Sequence, residues 1–123
     1  MSKKDAKYWV DYSNFIETVE NITGFSPSDL LQLYEELISE LSDGEENYVE
    51  WQYEFEYDKF TRNEIQKVIE NPNLSSNVLL KAFRDKIEIL DLEFKKYIEN
   101  ANDKKWWENP KVKFKIKPAA NSR

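Results

Sequence analysis

The apolar residues between positions 76 and 101 constrain the fold more than any other feature of the chain. They recur every three or four residues, as Leu80, Phe83, Ile87, Leu90, Phe94 and Tyr97. This spacing places the side chains on one face of an α-helix. Further apolar residues widen that face, so we predict one long helix over 76–101, capped by Ser75 or Ser76, against which the other elements pack.

Two helices with the same periodicity are predicted before it. Residues 6–22 form the first, and Gly24 is a typical stop signal after a helix. Ser26 is a good N-cap and Pro27 suits the first helical position, so a second helix begins there. It ends near residues 42–44, which read Ser-Asp-Gly.

A short third helix is predicted before the long one. Thr61, followed three residues later by Glu64, matches a capping box. The apolar residues Ile65, Val68 and Ile69 then follow at helical spacing. The Asn-Pro-Asn sequence at 71–73 breaks this helix.

Two segments instead alternate with a period of two, which is typical of β-strands. In 48–57, aromatic and apolar residues alternate with glutamates; in 111–117, apolar residues alternate with lysines. Opposite charges across neighbouring strands are favourable, so we predict that the two segments pair in a two-stranded sheet. The predicted fold is therefore α+β, in the order α-α-β-α-α-β. It is a single domain over 1–123 with frayed ends at about 1–5 and 118–123.

The composition narrows the possible chemistry. The chain has no cysteine and no histidine, so thiolate chemistry, disulfides and histidine general bases are excluded. The acidic stretch at 43–47 does not match an EF-hand loop, because its glycine is misplaced. We therefore expect no enzyme activity, no metal and no cofactor.

The expected location is the cytoplasm, without membrane association. The chain has no apolar run near the roughly 18 residues of a membrane span, and its N-terminus does not resemble a signal peptide. The polar faces of the predicted helices are acidic, which is the wrong sign for anionic lipid.

The charges are distributed unevenly along the chain. Fourteen acidic residues and no lysine or arginine lie between Tyr8 and Asp58, while the whole chain has a net charge of −6. Like charges on one surface repel each other, and a basic partner relieves this repulsion and is steered towards it. Internal neutralisation by the C-terminal lysines is the alternative.

This pattern predicts a non-enzymatic protein-binding domain. The most concrete form is an acidic inhibitor or immunity-type protein that covers a basic surface, such as the active site of a toxin or nuclease. Acidic residues with interleaved tyrosine suit such an interface. The candidate partner-binding residues are Glu35, Glu36, Glu40, Asp43, Glu45, Glu46, Tyr48, Glu50, Glu54 and Glu56.

Two alternatives stay open. The first is a nucleic-acid-associated regulator that uses the basic aromatic segment 104–117, because aromatic side chains in a basic groove bind single strands. Its candidate residues are Lys104, Lys105, Trp106, Trp107, Lys113 and Lys115. The net negative charge counts against it, since it repels phosphates. The second alternative is an accessory subunit of a larger assembly.

Overall fold

A computed structural model describes residues 3–43 and 59–113. These residues form four α-helices and three short 3-10 turns, with no β-strand among them. The helices are α1 (Lys3–Thr23), α2 (Pro27–Asp43), α3 (Phe60–Ile69) and α4 (Val78–Phe94), and the turns are Pro72–Leu74, Lys95–Tyr97 and Trp106–Glu108.

The predicted α+β class with a two-stranded sheet is wrong, because the described residues are helical. Val112 forms one isolated antiparallel bridge, and its partner is Ile98. Two backbone hydrogen bonds flank the bridge, from the Glu99 amide to the Lys111 carbonyl (2.7 Å) and from the Lys113 amide to the Tyr97 carbonyl (2.8 Å). A partner close in sequence requires less loop-closure entropy than a distant one. Residues 48–57 and 114–117, where most of the predicted sheet falls, lie outside the described residues.

The four helices share one apolar core. α1 and α2 each pack against both α3 and α4, and they contact each other less extensively. The buried positions recur at spacings of three and four along each helix, which is the periodicity that predicted the helices. They include Phe15 and Val19 on α1, Leu30, Tyr34, Leu37 and Leu41 on α2, Ile65 and Val68 on α3, and Leu80, Phe83, Ile87 and Phe94 on α4. The single-domain assignment over 1–123 stays a prediction.

The predicted junction between the first two helices is confirmed. The Gly24 amide donates to the Glu20 carbonyl, and Gly24 has a φ of 80°, a conformation that side chains disfavour. The Ser26 hydroxyl then accepts a hydrogen bond from the Asp29 amide at 3.1 Å, as an N-cap does. The α1-to-α2 connection is therefore fixed by local chemistry.

The long helix is shorter than predicted at both ends. Its N-cap is Asn77, whose side chain accepts from the Leu79 amide at 2.9 Å, rather than Ser75 or Ser76. α4 ends at Phe94 and tightens into a 3-10 turn, after which Ile98 has extended backbone angles and pairs with Val112. Ile98 is nevertheless buried, so it belongs to the apolar core although it lies outside the helix.

The capping box predicted for α3 is absent. Thr61 lies inside the helix, which starts at Phe60, and its hydroxyl is buried without a hydrogen-bond partner. The Glu64 carboxylate accepts from Lys67 at 2.6 Å instead of turning back to the helix start. Burial of Thr61 against the core thus prevails over its local capping preference.

A buried polar network joins α2, α3 and α4. Arg62 of α3 makes two parallel hydrogen bonds to the Asp91 carboxylate of α4, from Nε to Oδ1 at 2.8 Å and from Nη2 to Oδ2 at 2.9 Å. The Tyr34 hydroxyl of α2 donates to Asp91 Oδ1 at 2.5 Å, and Arg62 Nη1 donates to Gln66 at 2.8 Å. Burial, together with the nearby Asp91 charge, raises the pKa of Tyr34 well above its ordinary value.

Two indole rings cover the Arg62 guanidinium. Its central carbon lies 5.1 Å from the ring centre of Trp106 and 5.8 Å from that of Trp107, within cation–π range. Trp106 also packs against Phe94 at the end of α4. The network therefore fixes the position of the 3-10 turn that carries both tryptophans.

A second polar contact joins α1 to the start of α4. The Asp11 carboxylate accepts from the Val78 amide (3.1 Å) and from the Lys7 ammonium (2.9 Å), and the Asp11 carbonyl accepts from the Asn77 side chain (2.9 Å). The hydrogen bond from Lys7 and the one from the Val78 amide lower the pKa of Asp11. A carboxylate at the N-terminus of α4 also suits the helix dipole.

Asp91→Asn is expected to lower the free energy of unfolding by about 3–5 kcal/mol, because it leaves the buried Arg62 without its countercharge. The control is Asp85→Asn, which disrupts the exposed Lys81–Asp85 pair of the same helix. There the expected loss is at most about 1 kcal/mol. Urea denaturation measures both; equal losses would contradict a structural role for the network.

The lowered pKa of Asp11 predicts that stability falls in acid. A carboxyl group whose pKa is depressed by folding contributes stability above its unfolded value, 3.8, and loses it as the pH falls through the folded value. Wild type should therefore be more stable than Asp11→Asn at pH 7, and the difference should shrink towards zero with acidification. Lys7→Met should move this loss to higher pH. Thermal melts across pH check this, and a difference that does not depend on pH would refute it.

Candidate protein-docking surface

The outer face of α2 carries several acidic residues. Glu35 and Glu36 are exposed, and no described lysine or arginine forms an ion pair with either. Glu36 accepts a hydrogen bond from Gln32 one turn earlier, at 3.0 Å. Glu40 is half-buried, and Asp29 is exposed in the first turn. This face therefore presents negative charge to solvent.

A shallow pocket opens on the same helix. It has a volume of about 270 Å³ and is lined by Phe25, Asp29, Gln32, Leu33 and Glu36. Two carboxylates and an aromatic ring around apolar walls are the groups that bind the head and the aliphatic stem of lysine or arginine. The pocket, which we call the acidic pocket, is therefore suited to a cationic side chain.

An apolar groove lies between α1, the start of α2, and α4. One part, of about 260 Å³, is lined mainly by Tyr12, Phe15, Ile16, Leu31, Leu79, Ala82 and Phe83. An adjacent part, of about 630 Å³, continues between α2 and α4 to Glu35, Ile89 and Leu90. Ser28, Leu31 and Lys86 line both parts, so the two are continuous. We call the whole feature the α2/α4 groove.

Three aromatic side chains extend this apolar surface at the α1 end. Tyr8, Trp9 and Tyr12 contact one another, with ring centres 5.3 to 6.2 Å apart. They are 40–52% exposed, although Tyr8 and Tyr12 share the helical periodicity of the buried Phe15 and Val19.

The exposure of this aromatic cluster follows from where α4 begins. Asp11 meets Val78 at the start of α4, and Phe15 meets Phe83 further along, so α1 and α4 run in the same direction. Residues of α1 before Asp11 therefore extend beyond α4. The periodicity alone gave no signal of this, because it does not show where a neighbouring helix starts.

The tryptophans of the basic aromatic segment 104–117 are not exposed as a stacking site requires. Trp106 is buried, with 6% of its surface exposed, and its ring packs on Phe94. Trp107 is half-buried and contacts Trp106 and Arg62. The burial of Trp106 counts against its use in base stacking.

Three lysines of that segment lie on the surface. Lys104, Lys105 and Lys113 are exposed, and Lys105 lies 3.9 Å from the Glu108 carboxylate. Lys115 lies outside the described residues.

Several of the predicted partner-binding residues cannot be placed on this surface. Asp43 is the last residue of α2. Glu45, Glu46, Tyr48, Glu50, Glu54 and Glu56 lie outside the described residues. Of the predicted set, Glu35, Glu36, Glu40 and Asp43 lie on one helix, α2.

No cluster of three or more histidine, cysteine, aspartate or glutamate residues in the described ranges has an arrangement able to hold a metal ion. None of the described helices combines the length and the apolar character needed to cross a membrane.

No protein-family model matches this chain, and no curated protein or solved structure is significantly similar to it.

Proposed function

We propose that this protein is a non-enzymatic protein-binding domain that covers a basic surface of another protein. The observation that carries the proposal is the acidic face of α2, whose exposed Glu35 and Glu36 have no internal countercharge among the described residues. An uncompensated acidic face attracts and orients a basic partner.

The positions of the described cations support the proposal. The side chains of Lys67, Lys81 and Lys96 pair with acids one turn away on their own segments, and Arg62 is buried with Asp91. None of these cations forms an ion pair with Glu35 or Glu36, and neither does Lys86, which lines the same groove as Glu35. The negative charge of this face is therefore available to a partner.

The acidic pocket gives this face more than charge. Asp29 and Glu36 flank apolar walls, so a partner arginine or lysine gains both hydrogen bonds and burial of its stem. An arginine anchor in a pocket is a common source of interface affinity.

The proposed partner is a toxin or a nucleic-acid-processing enzyme in the cytoplasm, with a positively charged active site. Such an enzyme binds phosphates through clustered lysine and arginine residues. A protein with an acidic face competes for the same residues, and this competition is the mechanism of an immunity-type inhibitor.

Reversal of Glu35 and Glu36 to lysine is expected to abolish recovery of the partner from a host lysate. Wild-type protein should retain a basic protein at about 0.1 M salt and release it at about 1 M, where the Debye length falls from about 10 Å to about 3 Å. Affinity capture with mass spectrometry measures the recovery.

The matched control is Glu88→Lys combined with Glu99→Lys. Both residues are exposed, and this pair changes the net charge by the same amount at other positions. The control should keep the partner. Equal loss in both double variants, or a partner whose retention is insensitive to salt, would contradict docking on α2.

A second candidate function is that of an accessory subunit in a larger assembly. Ile89 and Leu92 of α4 are 68% and 70% exposed, and large exposed apolar residues that lie together are frequent at interfaces. If the protein self-assembles, light scattering during size-exclusion chromatography should give a mass that depends on concentration. The combined Ile89→Ser and Leu92→Ser variant should be a monomer, whereas a strictly monomeric wild type excludes self-assembly.

A further inference from the structure

We propose that the α2/α4 groove binds an amphipathic, positively charged helix of the partner. The inference rests on the proposed function and adds the kind of segment that docks. The groove supplies apolar contact, and the acidic face of α2 lies along one of its edges, where Glu35 lines the groove directly.

The dimensions of the groove suit a short helix. Its lining on α4 runs from Leu79 to Leu90, which corresponds to about 16 Å at a rise of about 1.5 Å per residue. This is the length of about three helical turns, and partner helices commonly dock in such grooves through apolar residues at spacings of three and four.

The acidic face of α2 beside the groove favours a cationic helix, and the charged residues that line the groove itself are Glu35 and Lys86. The walls from α1 and α2 come from a stretch with no lysine or arginine after Lys7, and Glu35 lies at one end. Lys86 is the one cation among the described residues that line the groove. Its replacement by glutamate should therefore tighten binding, because it leaves walls of a single sign.

The aromatic cluster forms the other end of the groove. Tyr12 lines the groove and contacts both Tyr8 and Trp9. Exposed tryptophan and tyrosine rings attract lysine and arginine through cation–π contact. A cationic helix in the groove thus has favourable contacts at both ends, with Glu35 at one and Trp9 at the other.

The experiment measures fluorescence anisotropy of a labelled leucine–lysine amphipathic peptide of about 18 residues, long enough to form a helix. A leucine–glutamate peptide with the same apolar pattern is the matched ligand. Wild-type protein should bind the cationic peptide and not the anionic one. Binding of both with equal affinity, or of neither, would overturn the proposal.

Ala82→Trp tests whether the groove is the site. Ala82 is exposed and lines the groove, so an indole there fills the space and should weaken peptide binding about tenfold or more, the range of interface hot spots. Leu92→Trp is the control, because Leu92 is exposed on α4 but does not line the groove. Circular dichroism melts establish that both variants fold.

Two further substitutions test the charge and the aromatic end. Lys86→Glu should strengthen binding of the leucine–lysine peptide. Because it changes an exposed residue, it stays informative if Ala82→Trp does not fold. Trp9→Ala should weaken binding, whereas Val10→Ala, at a neighbouring residue with 58% exposure, should not.

Unchanged peptide affinity in both Ala82→Trp and Lys86→Glu would contradict peptide binding in the groove. Loss of the native partner in the Glu35 and Glu36 reversal alone would still support docking on α2.

Discussion

The pair between Arg62 and Asp91 is the interaction on which the rest of the structure depends. It places a guanidinium and a carboxylate inside the bundle with bidentate geometry, and Tyr34 adds a hydrogen bond from a third helix. Burying two charges has a large desolvation cost, which only complete hydrogen bonding offsets. The geometry of three helices is thereby tied to one set of atoms, since a shift of any of them leaves a charge unsatisfied.

The same pair explains the chain after α4. Trp106 and Trp107 lie over the Arg62 guanidinium and make cation–π contacts with it. Trp106 also packs beside Phe94. The residues that connect the two tryptophans to α4 must return to the bundle, and the bridge between Ile98 and Val112 closes that loop. Both tryptophans of a segment whose composition suggests nucleic-acid binding are thus packed against the bundle.

Local patterns predicted the helices well and the long-range features poorly. The spacing of Leu80, Phe83 and Ile87 indicates α4 because buried residues of a helix repeat every three or four positions. The alternation at 111–117 predicts extended backbone but not its partner, and the observed partner of Val112 is Ile98, which the periodicity had assigned to a helix. The Arg62–Asp91 pair, the groove and the exposed aromatic cluster depend on which helices meet, and no local pattern carries that information.

The uneven distribution of charge along the sequence is also seen in the fold. Lys67, Lys81 and Lys96 pair with acids of their own segments, and Arg62 is buried with Asp91. None of these four cations forms an ion pair with Glu35 or Glu36. A protein that only needed solubility gains little from this arrangement, because intermixed charges serve solubility without the cost of self-repulsion. The same face borders an apolar groove, and charge beside an apolar groove provides both steering and burial for a partner. Glu35 belongs to both features, and for this reason its reversal is the most informative single change in the molecule.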